Sequence, residues 1–201
     1  VNNPRRPVNG RAVALFVLAS AAGLFVAIFL DRPVYRLFES VAVRETDLTR
    51  MFRVMGFLPV WLLAGSAVAL VERAWRRGAL IAGSATLAGL AGEVLKLLIR
   101  RERPGLHEGV SWFRPWSAGA WSTSGLATPS SHAIVAFGAA WILCRLYPGA
   151  TPVWLFLATG CAVTRVIAGA HFVSDVVLSA VAAYAVVWLI WRSRWGGGAR
   201  R

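Results

Sequence analysis

Charge is scarce in this chain. Only 15% of its 201 residues are Asp, Glu, Lys or Arg, against about a quarter in a soluble domain, which excludes an ordinary water-soluble globule. Acids are scarcest, 9 against 22 cations, and among the cations Lys occurs once, as Lys96. Two cysteines, Cys144 and Cys161, are too few for a disulfide-stapled scaffold. Three histidines and no carboxylate cluster offer little to a metal, so no metal and no cofactor are expected. The 19 Gly follow no period, and the polar content is too low for disorder. What abounds is apolar: 57% hydrophobic residues, ten Trp and a mean hydropathy of +0.59. The formal charge of +13 would suggest nucleic acid in a polar chain. With this hydropathy, no nucleic-acid partner is expected, and the composition is that of one membrane domain over 1–201.

A bilayer core about 30 Å thick takes roughly 20 apolar residues of helix. Uncharged runs predict six spans, at 12–30, 54–71, 79–99, 131–147, 152–167 and 171–191, and hence an all-α integral membrane six-helix bundle. The first run is too long for a signal-peptide core and ends at Asp31-Arg32-Pro33 without a small-residue cleavage site, so it is read as a retained span. Between the first two spans, 32–53 has Leu37, Phe38, Val41, Leu48, Met51 and Phe52 at roughly helical spacing, which predicts a short amphipathic helix at the interface. The stretch 100–129 is the one long loop, of the kind that usually has a functional task. Its Trp112, Phe113, Trp116 and Trp121 suit headgroup depth, as anchors or facing a substrate.

Six spans put both termini on one side. Lys and Arg then divide 11 to 11, and the positive-inside rule ties. Lys96, Arg103 and Arg165 on the second side are read below as ligand-binding, which favours termini in the cytoplasm and a site facing the outside.

Ionisable groups near membrane depth are costly and are functional hypotheses by default. Lys96 and Arg103 are seven apart, nearly two full helical turns, so both should project from one face at the end of the third span, suited to a dianionic phosphate or to lipid headgroups. At the start of the fourth span, Thr128-Pro129-Ser130-Ser131-His132 reads as a helix start whose free N–H groups make an anion site, with His132 in the first turn. Then come Arg165, Gly169, His171 and Asp175. His171 and Asp175 are one helical turn apart, so the carboxylate can bind one ring nitrogen and leave the other more basic. If the span count is right, all three groups end on the same side.

Lys96-x6-Arg103-Pro104, then Pro129-Ser130-Ser131-His132, then Arg165-x5-His171-x3-Asp175 resemble, in order, the three-part signature of the type 2 phosphatidic acid phosphatases. The resemblance spans 96–175, and the family also shows six spans. Ser131 stands where Gly is common, and Thr164 where Ser is common. Neither departure removes a charge or a nucleophile.

The resemblance implies a metal-independent lipid phosphate phosphatase. Phosphate would sit among Lys96, Arg103, Arg165, the Ser130 hydroxyl and the Ser131 and His132 N–H groups. His171, oriented by Asp175, would attack phosphorus to give a phosphohistidine, and His132 would protonate the leaving alkoxide. Substrates implied by the family are a polyprenyl diphosphate, phosphatidylglycerophosphate, phosphatidic acid and lipid A phosphates. The short chain favours a bacterial envelope lipid and the bacterial inner membrane. Phosphotransfer to a second lipid is an alternative, as is a non-catalytic lipid-binding or transport protein of the same fold. A vanadate-type oxidase with a similar residue set is disfavoured by the spans.

Further expectations concern residues outside the motifs. Glu93 should pair with Lys96, and His107 and Glu108 should be solvated. Cys144 and Cys161 should be buried free thiols, Gly83, Gly89 and Gly92 should mediate span packing, and 192–201 should anchor the topology.

Overall fold

The structure is a computed structural model that describes residues 9–39 and 46–193. Arg5, Arg6, Val41 and most of the expected C-terminal anchor lie outside the described residues. Among the described residues seven α-helices follow one another: α1 Gly10–Glu39, α2 Asp47–Val54, α3 Leu58–Val71, α4 Trp75–Ile99, α5 Ser131–Leu146, α6 Thr151–Ile167 and α7 Val173–Arg192. The architecture is an all-α membrane bundle. Helices α1, α4 and α7, and the stretch Pro148–Ile167 that ends in α6, are long and apolar enough to cross a bilayer. Helices α2 and α3 pass the same test only together, bent by 66° at the break between them.

Helix α5 has 16 residues, a rise of about 24 Å. It is shielded rather than lipid-facing, packing on α4, α6 and α7 and burying every residue from Ala133 to Ala140. A helix buried on all sides is apolar all round. The outer helices show the reverse pattern. Leu15, Leu18, Phe25 and Phe29 of α1, Leu63 and Leu70 of α3, Phe156 of α6 and Leu189 of α7 are exposed, an apolar surface too extensive for a water-soluble monomer.

Two boundaries differ from the sequence expectation. Helix α1 does not stop at Asp31-Arg32-Pro33 but runs on to Glu39 with Pro33 inside it. Proline forfeits one backbone hydrogen bond, a loss that transmembrane helices accommodate, and here buried contacts of Asp31 pin the helix. The amphipathic segment is accordingly only α2, opened by Thr46, whose side chain accepts from the Thr49 N–H in a capping box. It does not lie alone at the interface. Phe52 packs on α6 against Phe156, at 5.4 Å between centroids, where Gly160 leaves room for the ring.

Small residues set the helix spacings. A β-carbon on Gly78 would come within 2.2 Å of the Gly65 carbonyl oxygen, so α3 and α4 touch backbone to backbone. Gly89 and Gly92 face Val135 and Ile134 of α5 as expected of packing glycines, whereas Gly83 faces open space. Gly65 and Gly78, which meet each other, and Gly138, where a β-carbon would come within 2.7 Å of Ala88 Cβ, were not singled out in the sequence.

Candidate active site

Helices α4 and α6 end, and α5 and α7 begin, around one end of the bundle, which gathers all three motif segments there. His132 lies within the electrostatic reach of Arg165, His171, Arg53 and Lys96, and His171 within that of Asp175, Arg165 and Arg103. The eight residues singled out from the sequence are thus neighbours.

Lys96 is buried near the end of α4, with Nζ 3.0 Å from Glu93 Oε1 and a short hydrogen bond to Ser131 Oγ. Ser131 Oγ in turn donates to Glu93 Oε1 at 2.8 Å. The expected Glu93–Lys96 pair is therefore present, and Ser131, where the resemblance has Gly, is its third member. Arg103 differs from expectation. Helix α4 ends at Ile99, Arg100 takes a left-handed conformation (φ 57°), and Arg103 follows in extended backbone ahead of the 3-10 turn Pro104–Leu106. The two cations do not share a helix face. The left-handed cap reverses the chain at the helix C-terminus, and Arg103 reaches the site from the loop.

Ser130, fully buried, is the N-cap of α5, its Oγ accepting from Ala133 N at 3.5 Å and its own N–H donating to Ser179 Oγ at 3.0 Å. The Ser130 hydroxyl oxygen accepts as a cap, which leaves its proton to donate to a phosphate as expected. The Ser131 and His132 N–H groups are first-turn donors that intrahelical bonding leaves over. Behind His132, Gly56 at the α2–α3 corner approaches so closely that a β-carbon there would lie 2.6 Å from His132 Cβ.

His171 is buried in the turn between α6 and α7, which Gly169 opens at φ 63°. Its Nδ1 lies 2.9 Å from the Ala127 carbonyl oxygen and 3.8 Å from Asp175 Oδ2. A carbonyl only accepts, so Nδ1 carries the proton and the lone pair stands on Nε2. The expected direct orientation by Asp175 is thus replaced, as the hydrogen bond, by a backbone carbonyl, with the carboxylate one step further off. Asp175 itself is fully buried. It accepts from Thr128 Oγ1 in a short hydrogen bond, from Arg101 Nη1 at 3.2 Å and from Phe172 N at 2.8 Å.

Arg101, Asp31 and Arg100 were missed in the sequence, although all lie at a span end, where buried charge signals a task. Arg100 organises the long loop. Its guanidinium donates to the carbonyls of Arg114, Pro115, Ala118 and Ala120 at 2.7–3.0 Å and stacks 4.7 Å from the Trp116 ring. His107 is not simply solvated. It meets Glu102 at 2.5 Å, and Glu102 also accepts from Arg114 at 2.6 Å. Among the described residues, no group of three or more His, Cys, Asp or Glu is placed to hold a metal. Cys144 and Cys161 are free thiols, Cys161 buried and Cys144 half-buried.

The fold and the site together define an integral membrane helix bundle with a cluster of histidines and cations at one end. Residues 77–198 match the PAP2 superfamily, and the chain belongs to that family. It is 33% identical over 118 residues to the decaprenylphosphoryl-5-phosphoribose phosphatase of Mycolicibacterium smegmatis, a match covering 58% of this chain and 61% of the relative. The chain thus spans about three-fifths of that relative's length. Its fold is similar to the crystal structure of a transmembrane PAP2-type phosphatidylglycerolphosphate phosphatase from Bacillus subtilis. The TM-score is 0.59 at 21% identity, covering 89% of this chain and 91% of that one.

Proposed function

We propose that the protein is a metal-independent phosphatase of a membrane lipid phosphate, working through a phosphohistidine on His171. The observation that carries this reading is the state of His171. Its Nδ1 proton is given to the Ala127 carbonyl, which leaves the Nε2 lone pair for phosphorus, within the fields of Arg165 and Arg103. Arg103, Arg165 and Lys96, with the Ser131 and His132 N–H groups, hold the phosphate and stabilise charge on its equatorial oxygens, the larger part of phosphoryl-transfer catalysis. Lys96 exchanges its bond to Ser131 for a phosphate oxygen. His132 protonates the departing alkoxide, and water then releases phosphate.

The hydrocarbon part of the substrate stays in the bilayer, and the site faces the outside of a bacterial inner membrane with the termini in the cytoplasm. The two relatives make a polyprenyl-linked sugar phosphate and phosphatidylglycerophosphate the first substrates to assay, followed by polyprenyl diphosphate, phosphatidic acid and lipid A phosphates. Purified protein in detergent should release phosphate from at least one of these in excess chelator, with His171→Ala as the blank. Equal release by the blank, or none from any lipid, refutes the reading.

A further inference from the structure

Two carboxylates and one guanidinium are buried together beside His171. Asp31, on α1, accepts from Ser174 N at 2.8 Å through Oδ1, and through Oδ2 from Ser174 Oγ at 2.6 Å and Arg101 Nη2 at 2.8 Å. Arg101 reaches Ser174 Oγ at 2.7 Å and Asp175 Oδ1 at 3.2 Å through Nη1, and its guanidinium lies 3.8 Å from the centre of the Phe172 ring. The side chains of Asp31 and Arg101 are 6% and 8% exposed, and that of Asp175 is fully buried. Burying three charges so completely is costly unless each is paired and hydrogen-bonded. A surface pair on water-facing helices would have served the fold at lower cost.

The placement is specific. Asp31 holds the first turn of α7, the turn that carries Asp175, from a helix 143 residues away in sequence. Arg101 sits between the two carboxylates, so part of the Asp175 charge is committed to the guanidinium and not to His171. That division matches the ring geometry, with Nδ1 on Ala127 O at 2.9 Å and only 3.8 Å from Asp175.

We propose that Asp31 and Arg101 are positioning residues for the His171–Asp175 pair: the Asp31–Arg101 bridge sets how much of the Asp175 carboxylate is available to His171, and ties the first helix to the reacting histidine. The proposal rests on the phosphohistidine reading. When phosphorus bonds to Nε2 while Nδ1 keeps its proton, the ring becomes cationic, and the nearby carboxylate stabilises it. Full capture of Asp175 by Arg101 weakens that stabilisation. Loss of Arg101 frees the Asp175 carboxylate to stabilise a positive ring, so that Nε2 takes up a second proton from water and His171 is held as imidazolium, which has no lone pair to attack. Besides Asp31 and Arg101 themselves, the charged and titratable groups around His171 include Asp175 on α7, Arg165 on α6, His132 on α5 and Arg103 in the loop. None of these changes in the test variants.

The test compares Asp31→Asn and Arg101→Met with the parent and with His171→Ala, reading kcat, KM and the pH dependence of kcat/KM. Both variants should lose about 10- to 10²-fold in kcat, the cost of a misplaced reacting group, with KM nearly unchanged. Their acid limbs should move in opposite directions. The limb moves to higher pH in Arg101→Met, where a cation near the histidine is gone. It moves to lower pH in Asp31→Asn, where an anion is gone and Arg101 turns wholly to Asp175. A purely structural pair would lower Tm and leave the limb where it was. Asp31→Asn is nearly isosteric, so it carries the test alone if Arg101→Met does not fold. Parent-like kcat and pH limb in Asp31→Asn, with His171→Ala inactive, overturn this inference and leave the proposed function standing. Activity in His171→Ala overturns the function, and this inference with it.

Discussion

Gly56→Ala is a one-carbon change that joins the fold to the chemistry. Gly56 lies at the α2–α3 corner, and a β-carbon on it would stand 2.6 Å from His132 Cβ and 2.7 Å from both His132 Cα and its carbonyl oxygen. Non-bonded carbons settle at about 3.5–4.0 Å, so corner and helix must separate by roughly 1 Å. All three obstructing atoms are backbone or Cβ, and no flexible side-chain end can yield instead. Overpacking of this kind costs about 1–3 kcal/mol. A reacting group displaced by about 1 Å costs about 10²-fold in rate. The proposed general acid is the residue displaced, so kcat for a lipid phosphate should fall by about that factor, while Tm falls by several degrees. Gly83→Ala is the control, because a β-carbon there meets nothing within 4 Å. It should keep full activity and gain up to about 1 kcal/mol from helix propensity. Phosphate release and thermal unfolding of both variants in the same detergent decide the matter. Full activity and an unchanged Tm in Gly56→Ala would refute the placement of His132 against that corner.

Three further outcomes are expected. Arg100→Met strands four carbonyls that the guanidinium now satisfies, so loop 100–130 should become protease-sensitive and Tm should fall, a loss of about 3 kcal/mol or more for breaking buried charged hydrogen bonds; a parent-like digestion pattern would contradict this. The His107 ring and the Arg114 guanidinium hold the Glu102 carboxyl below its ordinary 4.5. A depressed carboxyl stabilises fully above that value, and the contribution is lost as the pH falls through the lower folded value. Hydrogen-exchange protection in the loop, taken relative to the intrinsic amide rate, should therefore fall on acidification below about pH 4.5 in the parent, and less steeply in Glu102→Gln. His132→Ala should retain the fold and lose about 10²–10⁴-fold in rate, with the loss smallest on a substrate whose leaving group needs no proton; equal losses on both kinds of leaving group would remove the acid role.

Much of the bundle was legible because membrane spans announce themselves by uninterrupted apolarity. Helices occupy the expected runs, although among the described residues four, or five with the bent α2–α3 pair, are long and apolar enough to cross a bilayer, and the motif residues meet at one end of the bundle. The exceptions have local physical causes. Pro33 reads as a stop, yet α1 continues past it, held by contacts of Asp31 with Arg101 and Ser174 that no spacing rule predicts. The seven-residue interval from Lys96 to Arg103 reads as one helix face only while the helix lasts, and the left-handed turn at Arg100 ends it. Ser130 reads as a phosphate ligand, and its oxygen has the further task of capping α5. Arg100 and Arg101 carry no signal in the motif spacing. They turn inward because one loop offers four carbonyls and the other neighbour offers two carboxylates, partners visible only once the chain is folded.

The decisive measurement is rapid acid-free quenching of the purified protein with a radiolabelled lipid phosphate, followed by identification of the labelled residue. His171 as nucleophile predicts a phosphoenzyme that is stable to alkali and labile to acid, approaches one label per active chain, maps to the peptide containing His171 and is absent from His171→Ala. Phosphate release at the parent rate with no labelled histidine at any quench time, or a label that persists in His171→Ala, would contradict it.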